Sequence, residues 1–223
     1  MPTLERPLEP TFYFIGVSTS RSRVMSLFPR WLEILGLPPT RIVGIDVPVR
    51  GPAETYRSIV AHMAREEMAV GGLVTTHKID IFANAGGLLL CLDDYAKVFG
   101  EISVLSKRGG ALCGFAKDPI SAGLALEAFL PRGYWRRNPG AQAFIMGAGG
   151  SGLALSAYLL GKERGDDLPE RVILSGRRPE TLEHARRVHD ALGIAGRVEY
   201  VRVGGEASND DVLERLAPGS LVV

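Results

Sequence analysis

The sequence predicts an α/β protein of two domains, and three observations carry that prediction. Strand-like and helix-like apolar segments alternate along nearly the whole chain. The segment 131–140, Pro-Arg-Gly-Tyr-Trp-Arg-Arg-Asn-Pro-Gly, interrupts the apolar periodicity on both sides of it. A run of glycines from Gly147 to Gly152 sits between a predicted strand and a predicted helix. The expected layout is a first domain over 1–130, a linker over 131–140 and a second domain over 141–223.

In the first part, residues 11–17 are apolar and aromatic and read as a buried strand. Val24, Leu27, Phe28, Trp31 and Leu35 then recur at helical spacing. Pro29 predicts that this helix kinks or starts there, and Trp31 with its apolar neighbours is expected in the core. Residues 41–47 read as a second strand. Pro52 opens a helix that turns Ile59, Val60, Met63 and Ala64 inward. Short strands follow at 72–75, 102–105 and 111–115, and Pro119 opens a helix to about 129. In the second part, strands at 143–146, 171–174 and 198–203 alternate with helices at 153–160, 179–188 and 210–216. This order implies a parallel sheet covered by helices. A fourth strand begins at Leu221, so the sequence reads as a fragment in which this second domain is truncated on its C-terminal side.

Composition narrows the function. Of 223 residues, 26 are Lys or Arg and 25 are Asp or Glu, a formal net charge of +1. Nucleic-acid binding through bulk charge is not expected of so neutral a chain. No apolar run approaches the roughly 20 residues that span a bilayer. The first ten residues hold Glu5, Arg6 and Glu9 and do not read as a secretory signal. A cytoplasmic, reducing setting follows as the expectation. Cys91 and Cys113 lie in apolar surroundings and read as small core residues. The four histidines stand away from carboxylate or cysteine clusters, so no metal site is expected. His62 reads as a satisfied or surface histidine, and His184 and His189 lie on a polar helix of the second domain. His77 precedes Lys78 on extended backbone, which turns the two side chains apart.

The glycine run is the strongest local signal. Gly147, Ala148, Gly149, Gly150, Ser151 and Gly152 fit the spacing G-x-G-x-x-G. Gly147 permits a tight turn, Gly149 lets the backbone approach a pyrophosphate, and Gly152 lets the helix pack on the strand. Free N–H groups at the helix start would face the anion. A glycine-rich turn without a ligand is the plainer alternative. The next strand ends Leu174-Ser175-Gly176-Arg177-Arg178, with no acid before Glu180. An Asp or Glu there suits the ribose hydroxyls of NAD, whereas Arg177 and Arg178, with Ser175, suit the 2′-phosphate of NADP. The cofactor expected is NADP.

Further pieces follow one pattern: Gly16 to Ser22, Gly72-Leu73-Val74-Thr75-Thr76-His77-Lys78, Gly114-Phe115-Ala116-Lys117-Asp118, and the glycine run with Arg177. In this order and spacing the chain resembles the shikimate dehydrogenase family from about residue 11 to 223. That family's first loop reads G-x-P-[IL]-x-H-S-x-S-P, and its serines bind the substrate carboxylate. Ser22 matches the first serine and Val24 the second, while Ser18 replaces the Pro and Arg21 the His. In N-V-T-x-P-x-K, Lys78 matches the lysine, Gly72 replaces the Asn and Thr76 the Pro. In A-V-N-T the Asn becomes Ser103. In N-T-D the Asn becomes Ala116 and the Asp is kept as Asp118.

The resemblance implies a Rossmann-type second domain joined to an α/β substrate domain. It also implies a soluble enzyme of aromatic amino acid biosynthesis, and a homodimer is compatible with it. The activity implied is NADP-dependent interconversion of a hydroxyl and a ketone on a small hydroxylated carbocyclic acid. Lys78 and Asp118 would be the catalytic pair, with Lys78 as general acid or base. Ser20, Arg21, Ser22, Thr76 and Ser103 would contact substrate in a cleft between the domains, closed by a hinge. A lysine amine serves as base where its surroundings lower its pKa toward neutrality. Arg21 can pair with a carboxylate through two hydrogen bonds. Three asparagines of the family's hydroxyl-binding shell are missing, which points to a remodelled substrate shell. Rival readings are a same-fold dehydrogenase for another substrate, a related enzyme for amino acids or folate carriers, and a non-catalytic NADP-binding sensor or scaffold. Taken singly, Lys78 also reads as a solvated strand-end lysine and Asp118 as a helix cap.

Overall fold

The computed structural model describes residues 4–161, 164–204 and 208–223. The chain divides into two compact units, Met1–Lys117 and Asp118–Val223. The division falls after Lys117, not in the 131–140 segment the sequence marks. The reason is packing: the helix that follows Lys117 lies against the helix behind the glycine run and belongs with the second unit.

The first unit holds β1 (Thr11–Gly16), α1 (Val24–Ile34), β2 (Arg41–Asp46), α2 (Ala53–Arg65), β3 (Ala69–Val74) and α3 (Lys78–Ala85). It continues with β4 (Cys91–Leu92), α4 (Asp94–Phe99), β5 (Val104–Arg108) and β6 (Ala111–Phe115). Six strands form one mixed sheet in the order β2-β1-β3-β5-β6-β4. Strands β1, β2 and β3 run parallel, and β5 runs antiparallel to β3 and β6. The core gathers Tyr13, Ile15 and Ile45 from the sheet against Ile59, Val60 and Met63 of α2. Burying each such side chain stabilises the fold by about 1.5–3 kcal/mol.

Three expectations are corrected here. Helix α1 starts at Val24 and carries Pro29 inside it, so Pro29 does not begin the helix. Its missing N–H lies on a side of the helix that solvent reaches, where the lost bond costs least. Trp31 is 46% exposed and Leu32 is the buried residue of α1, so the helix turns a narrower face inward than its apolar spacing suggests. Cys91 is exposed rather than core, and it is bonded to Cys113 as a disulfide. The two residues stand directly opposite in the β4–β6 pair, which is what brings their sulfurs together.

The second unit holds α5 (Asp118–Glu127), α6 (Tyr134–Arg137), β7 (Ala143–Met146), α7 (Gly150–Leu159), β8 (Val172–Gly176), α8 (Pro179–Ala191), β9 (Val198–Arg202), α9 (Asn209–Leu213) and β10 (Leu221–Val222). Its four strands are all parallel, in the order β10-β7-β8-β9. This is the expected alternation. Both faces of the sheet are covered, so β7 and β8 read as short continuous apolar runs. Pro179 occupies the first turn of α8, where a missing N–H costs nothing. His189 on α8 is fully buried, between the Ser156 hydroxyl at 2.8 Å and the Tyr200 hydroxyl at 2.8 Å. Burial lowers its pKa from 6.5 to about 4, so it is neutral at pH 7.

Candidate functional site

In the second unit the glycine run joins β7 to α7. Gly147 has φ +147°, a conformation that side chains rarely adopt. A Cβ on Gly152 would stand within van der Waals overlap of the Gly147 carbonyl oxygen, so only glycine fits there. A Cβ on Gly149 would meet nothing within 4 Å, which leaves this stretch of backbone open to a ligand. Gly149 is also the residue preceding α7, and among the described residues no side chain caps the helix. The N–H groups of its first turn are thus available to an anion. Gly150 and Ser151 line the same opening, a cavity of about 570 Å³ whose other walls include Leu126, Phe129, Met146 and Val223.

A second cavity of about 410 Å³ lies at the other side of the loop. Gly147, Ala148, Gly149, Gly176, Arg177, Arg178 and Thr181 line it. Among these described residues there are two guanidinium groups and no carboxylate. Arg177 and Arg178 are exposed and follow directly on β8. Ser175 is not part of this lining. It is 1% exposed, and its hydroxyl donates to Oδ1 of Asn209 at 2.9 Å, tying β8 to the start of α9.

In the first unit, the loop after β1 is anchored by a residue the sequence reading missed. The backbone N–H and hydroxyl of Thr19 both donate to Oδ1 of Asp46, at 2.8 and 2.6 Å. These bonds hold the Asp46 carboxyl below its usual range. Gly44 leaves room for Thr19, since a Cβ there would collide with its side chain. The anchored turn carries Ser20, Arg21 and Ser22; the first two are exposed. The Ser22 hydroxyl oxygen accepts from the Val24 N–H at 3.3 Å. Thr76 is exposed on the connection between β3 and α3.

Lys78 is the first residue of α3 and is partly buried. Its carbonyl accepts from the Ile102 N–H at 3.0 Å, which ties the start of α3 to the segment entering β5. Ser103 is buried, and its hydroxyl is engaged by backbone: it donates to the Phe115 carbonyl at 3.4 Å and accepts from the Lys117 N–H at 2.8 Å. Ala116 is fully buried. Gly72 is packed so closely that a Cβ would lie 2.8 Å from the Tyr13 carbonyl oxygen and 3.1 Å from Met63 Cε. The three positions at which the resemblance expects asparagine therefore present no free polar group.

Asp93 is a further residue that spacing did not reveal. It precedes α4 and accepts from the Ala96 N–H at 2.8 Å, the Ala116 N–H at 3.1 Å and Lys117 Nζ at 2.7 Å. Burial raises its pKa, and these donors outweigh burial and hold the carboxyl below its usual range. Lys117 thus closes an ion pair inside the first unit, and Asp118 opens α5 of the second, partly buried. Among the described residues no group of three or more His, Cys, Asp or Glu is placed to hold a metal ion. No described helix is long and apolar enough to cross a membrane.

The second unit is thus a parallel α/β domain whose glycine loop and arginine-lined cavity suit a phosphorylated dinucleotide. Solved structures share this architecture. No protein-family model and no curated protein sequence matches the chain. A shikimate dehydrogenase crystallised with NADP+ is similar at TM-score 0.68 and 22% identity, over 86% of this chain and 61% of its own. Quinate dehydrogenase from Corynebacterium glutamicum, in complex with NAD, is similar at TM-score 0.69 and 17% identity, over 93% and 68%. The 5-ketofructose reductase of Gluconobacter sp. strain CHM43 is similar at TM-score 0.63 and 17% identity, over 90% and 65%. The chain has the shikimate dehydrogenase fold, and it spans 61–68% of the length of these three proteins.

Proposed function

We propose that this protein is an NADP-dependent oxidoreductase that interconverts a hydroxyl and a ketone on a small hydroxylated acid. The observation that carries the reading is the open, uncapped start of α7 beside a cavity lined by Arg177 and Arg178 and by no carboxylate among the described residues. The residues fit the cofactor. Gly149, Gly150 and Ser151 offer N–H groups to its pyrophosphate. Arg177, Arg178 and Thr181 offer donors to its 2′-phosphate. The larger cavity, with Met146 and Leu126 in its wall, would take the nicotinamide half. When bound, the cofactor supplies a hydride acceptor or donor.

The chain's own groups do the rest. Lys78, as the neutral amine, takes the proton from the substrate hydroxyl while the carbon loses its hydride, and in the reverse direction its ammonium returns that proton. Asp118 hydrogen-bonds the hydroxyl and orients it for that transfer. Arg21 pairs with the substrate carboxylate in bidentate fashion, assisted by the hydroxyls of Ser20, Ser22 and Thr76. The engaged hydroxyl of Ser103 gives it a scaffold role in holding Lys117, ahead of a role in substrate contact.

The substrate is a hydroxy acid other than shikimate or quinate in the second reading. The closed positions at Gly72, Ser103 and Ala116 favour it, because a site that reads vicinal hydroxyls needs polar groups facing them. The test is NADPH formation by the purified protein offered shikimate, quinate and a panel of other hydroxy acids. Turnover with NADP that Lys78→Ala abolishes supports the dehydrogenase reading, and the substrate that gives it decides between the two. NADP binding without turnover on any member of the panel discards the enzymatic reading.

A further inference from the structure

His77 is fully buried immediately before Lys78, and its two ring nitrogens meet two other elements of the first unit. Nε2 lies 2.8 Å from the Val47 carbonyl oxygen. A carbonyl only accepts, so Nε2 carries a proton. Nδ1 lies 3.0 Å from the Tyr56 hydroxyl on α2. That hydroxyl lies 3.3 Å from Oδ2 of Asp80, two residues beyond Lys78 on α3. The Gly51 backbone lies beside the same phenol oxygen. Tyr56 is 1% exposed and His77 is fully buried, so neither can turn to water, whereas the Asp80 side chain is 40% exposed.

The protons can be counted. Tyr56 has one to give. With His77 neutral, Nδ1 takes the Tyr56 hydrogen bond and Asp80 goes without it. With His77 protonated, Nδ1–H donates to Tyr56, Tyr56 donates to Asp80, and every bond in the chain forms. Among the described residues, the titratable groups that face the ring are Tyr56 from α2 and Asp80 from α3, with Lys78 next along the chain. Val47 and Gly51 contribute backbone only. The backbone at the start of α3 is thereby pinned twice, by the anchored ring of His77 and by the Ile102 N–H on the Lys78 carbonyl.

We propose that His77, held between Tyr56 and the Val47 carbonyl, is a positioning residue for Lys78: it fixes the point at which that side chain leaves the backbone. The proposal rests on the reading of Lys78 as the proton-transfer group. Spacing conceals this role: the structure places His77 at the cap of α3 (φ −97°, ψ 22°) rather than on the extended backbone the sequence suggests, and it acts through the chain rather than at a substrate.

The test uses the full chain with Tyr56→Phe and Asp80→Asn, and it reads two things. One is the pH dependence of Lys78 acetylation by acetic anhydride, followed by mass spectrometry against the exposed Lys97 as internal reference. The other is steady-state turnover. In Tyr56→Phe we expect the Lys78 profile to move relative to Lys97, and kcat to fall about tenfold or more with KM changed less than twofold. In Asp80→Asn, which keeps an oxygen that accepts from Tyr56 but loses the charge, we expect the Lys78 profile to move less than in Tyr56→Phe. A folded Tyr56→Phe with an unchanged Lys78 profile and unchanged kcat overturns the proposal. If wild-type protein turns over no hydroxy acid, the dehydrogenase reading fails, and the acetylation profile alone still decides the positioning role. If Tyr56→Phe does not fold, the Lys78 profile of Asp80→Asn decides it: displacement supports the proposal, and no change overturns it.

Discussion

The glycine loop of the second unit and the positions of the first unit at which the resemblance expects asparagine, Gly72, Ser103 and Ala116, are built differently. In the loop, each residue is dictated by backbone: Gly147 by its positive φ, Gly152 by the carbonyl against it, Gly149 by the open approach. In the first unit, these three positions are taken up by packing and internal hydrogen bonds. Ser103 and Lys117 bond to each other, Lys117 pairs with Asp93, and Gly72 is wedged against Tyr13 and Met63. In the proposed reading, a nucleotide site held by main chain is fixed in shape, whereas a substrate shell made of side chains varies over the same sheet.

The largest effect that would sharpen this contrast is at Gly152. Gly152→Ala forces a Cβ into the Gly147 carbonyl and should abolish NADP binding, with a stability loss on the order of 1–3 kcal/mol seen as a lower Tm. Retained binding would mean that the loop is more plastic than its geometry indicates. Acid should weaken the second unit next. The folded pKa of His189, about 4, lies below its unfolded value near 6.5, so its contribution is complete above pH 6.5 and is lost as pH falls toward 4. That loss amounts to about 3 kcal/mol in urea melts over this window, and His189→Gln should flatten it.

Replacing both Arg177 and Arg178 by Ala should weaken NADPH binding about a hundredfold and leave NADH binding nearly unchanged, by calorimetric titration. Equal losses for both nucleotides would show that the arginines do not read the 2′-phosphate. The smallest effect belongs to the first unit. Ser103→Ala deprives the Lys117 N–H of its acceptor and should cost about 1–2 kcal/mol in denaturant melts, while a substrate-binding role would instead appear as a raised KM.

Much of the architecture was legible in the sequence because both sheets are built from short apolar runs bounded by Gly and Pro. The second unit was the clearer, since β7, β8 and β9 follow one repeated strand–helix pattern. Residues 78–100 were harder. Helices α3 and α4 are short, and β4 is two residues long, held by its pairing with β6 rather than by its own propensity. The buried networks were hidden for another reason. Thr19 with Asp46, Tyr56 with His77, and Asp93 with Lys117 join residues 20 or more positions apart, and a single sequence carries no signal for such pairs. Trp31 misled because apolar spacing on a helix does not say how much of that face another element covers.

The central claim is the proposal that the second unit binds NADP and reads its 2′-phosphate through Arg177 and Arg178. Its most direct test is calorimetric titration of the wild-type chain with NADPH and, separately, NADH. The account predicts that NADPH binds at least about tenfold more tightly, the advantage of added charge-assisted hydrogen bonds. Equal affinity for the two nucleotides, or no binding of either, would contradict it.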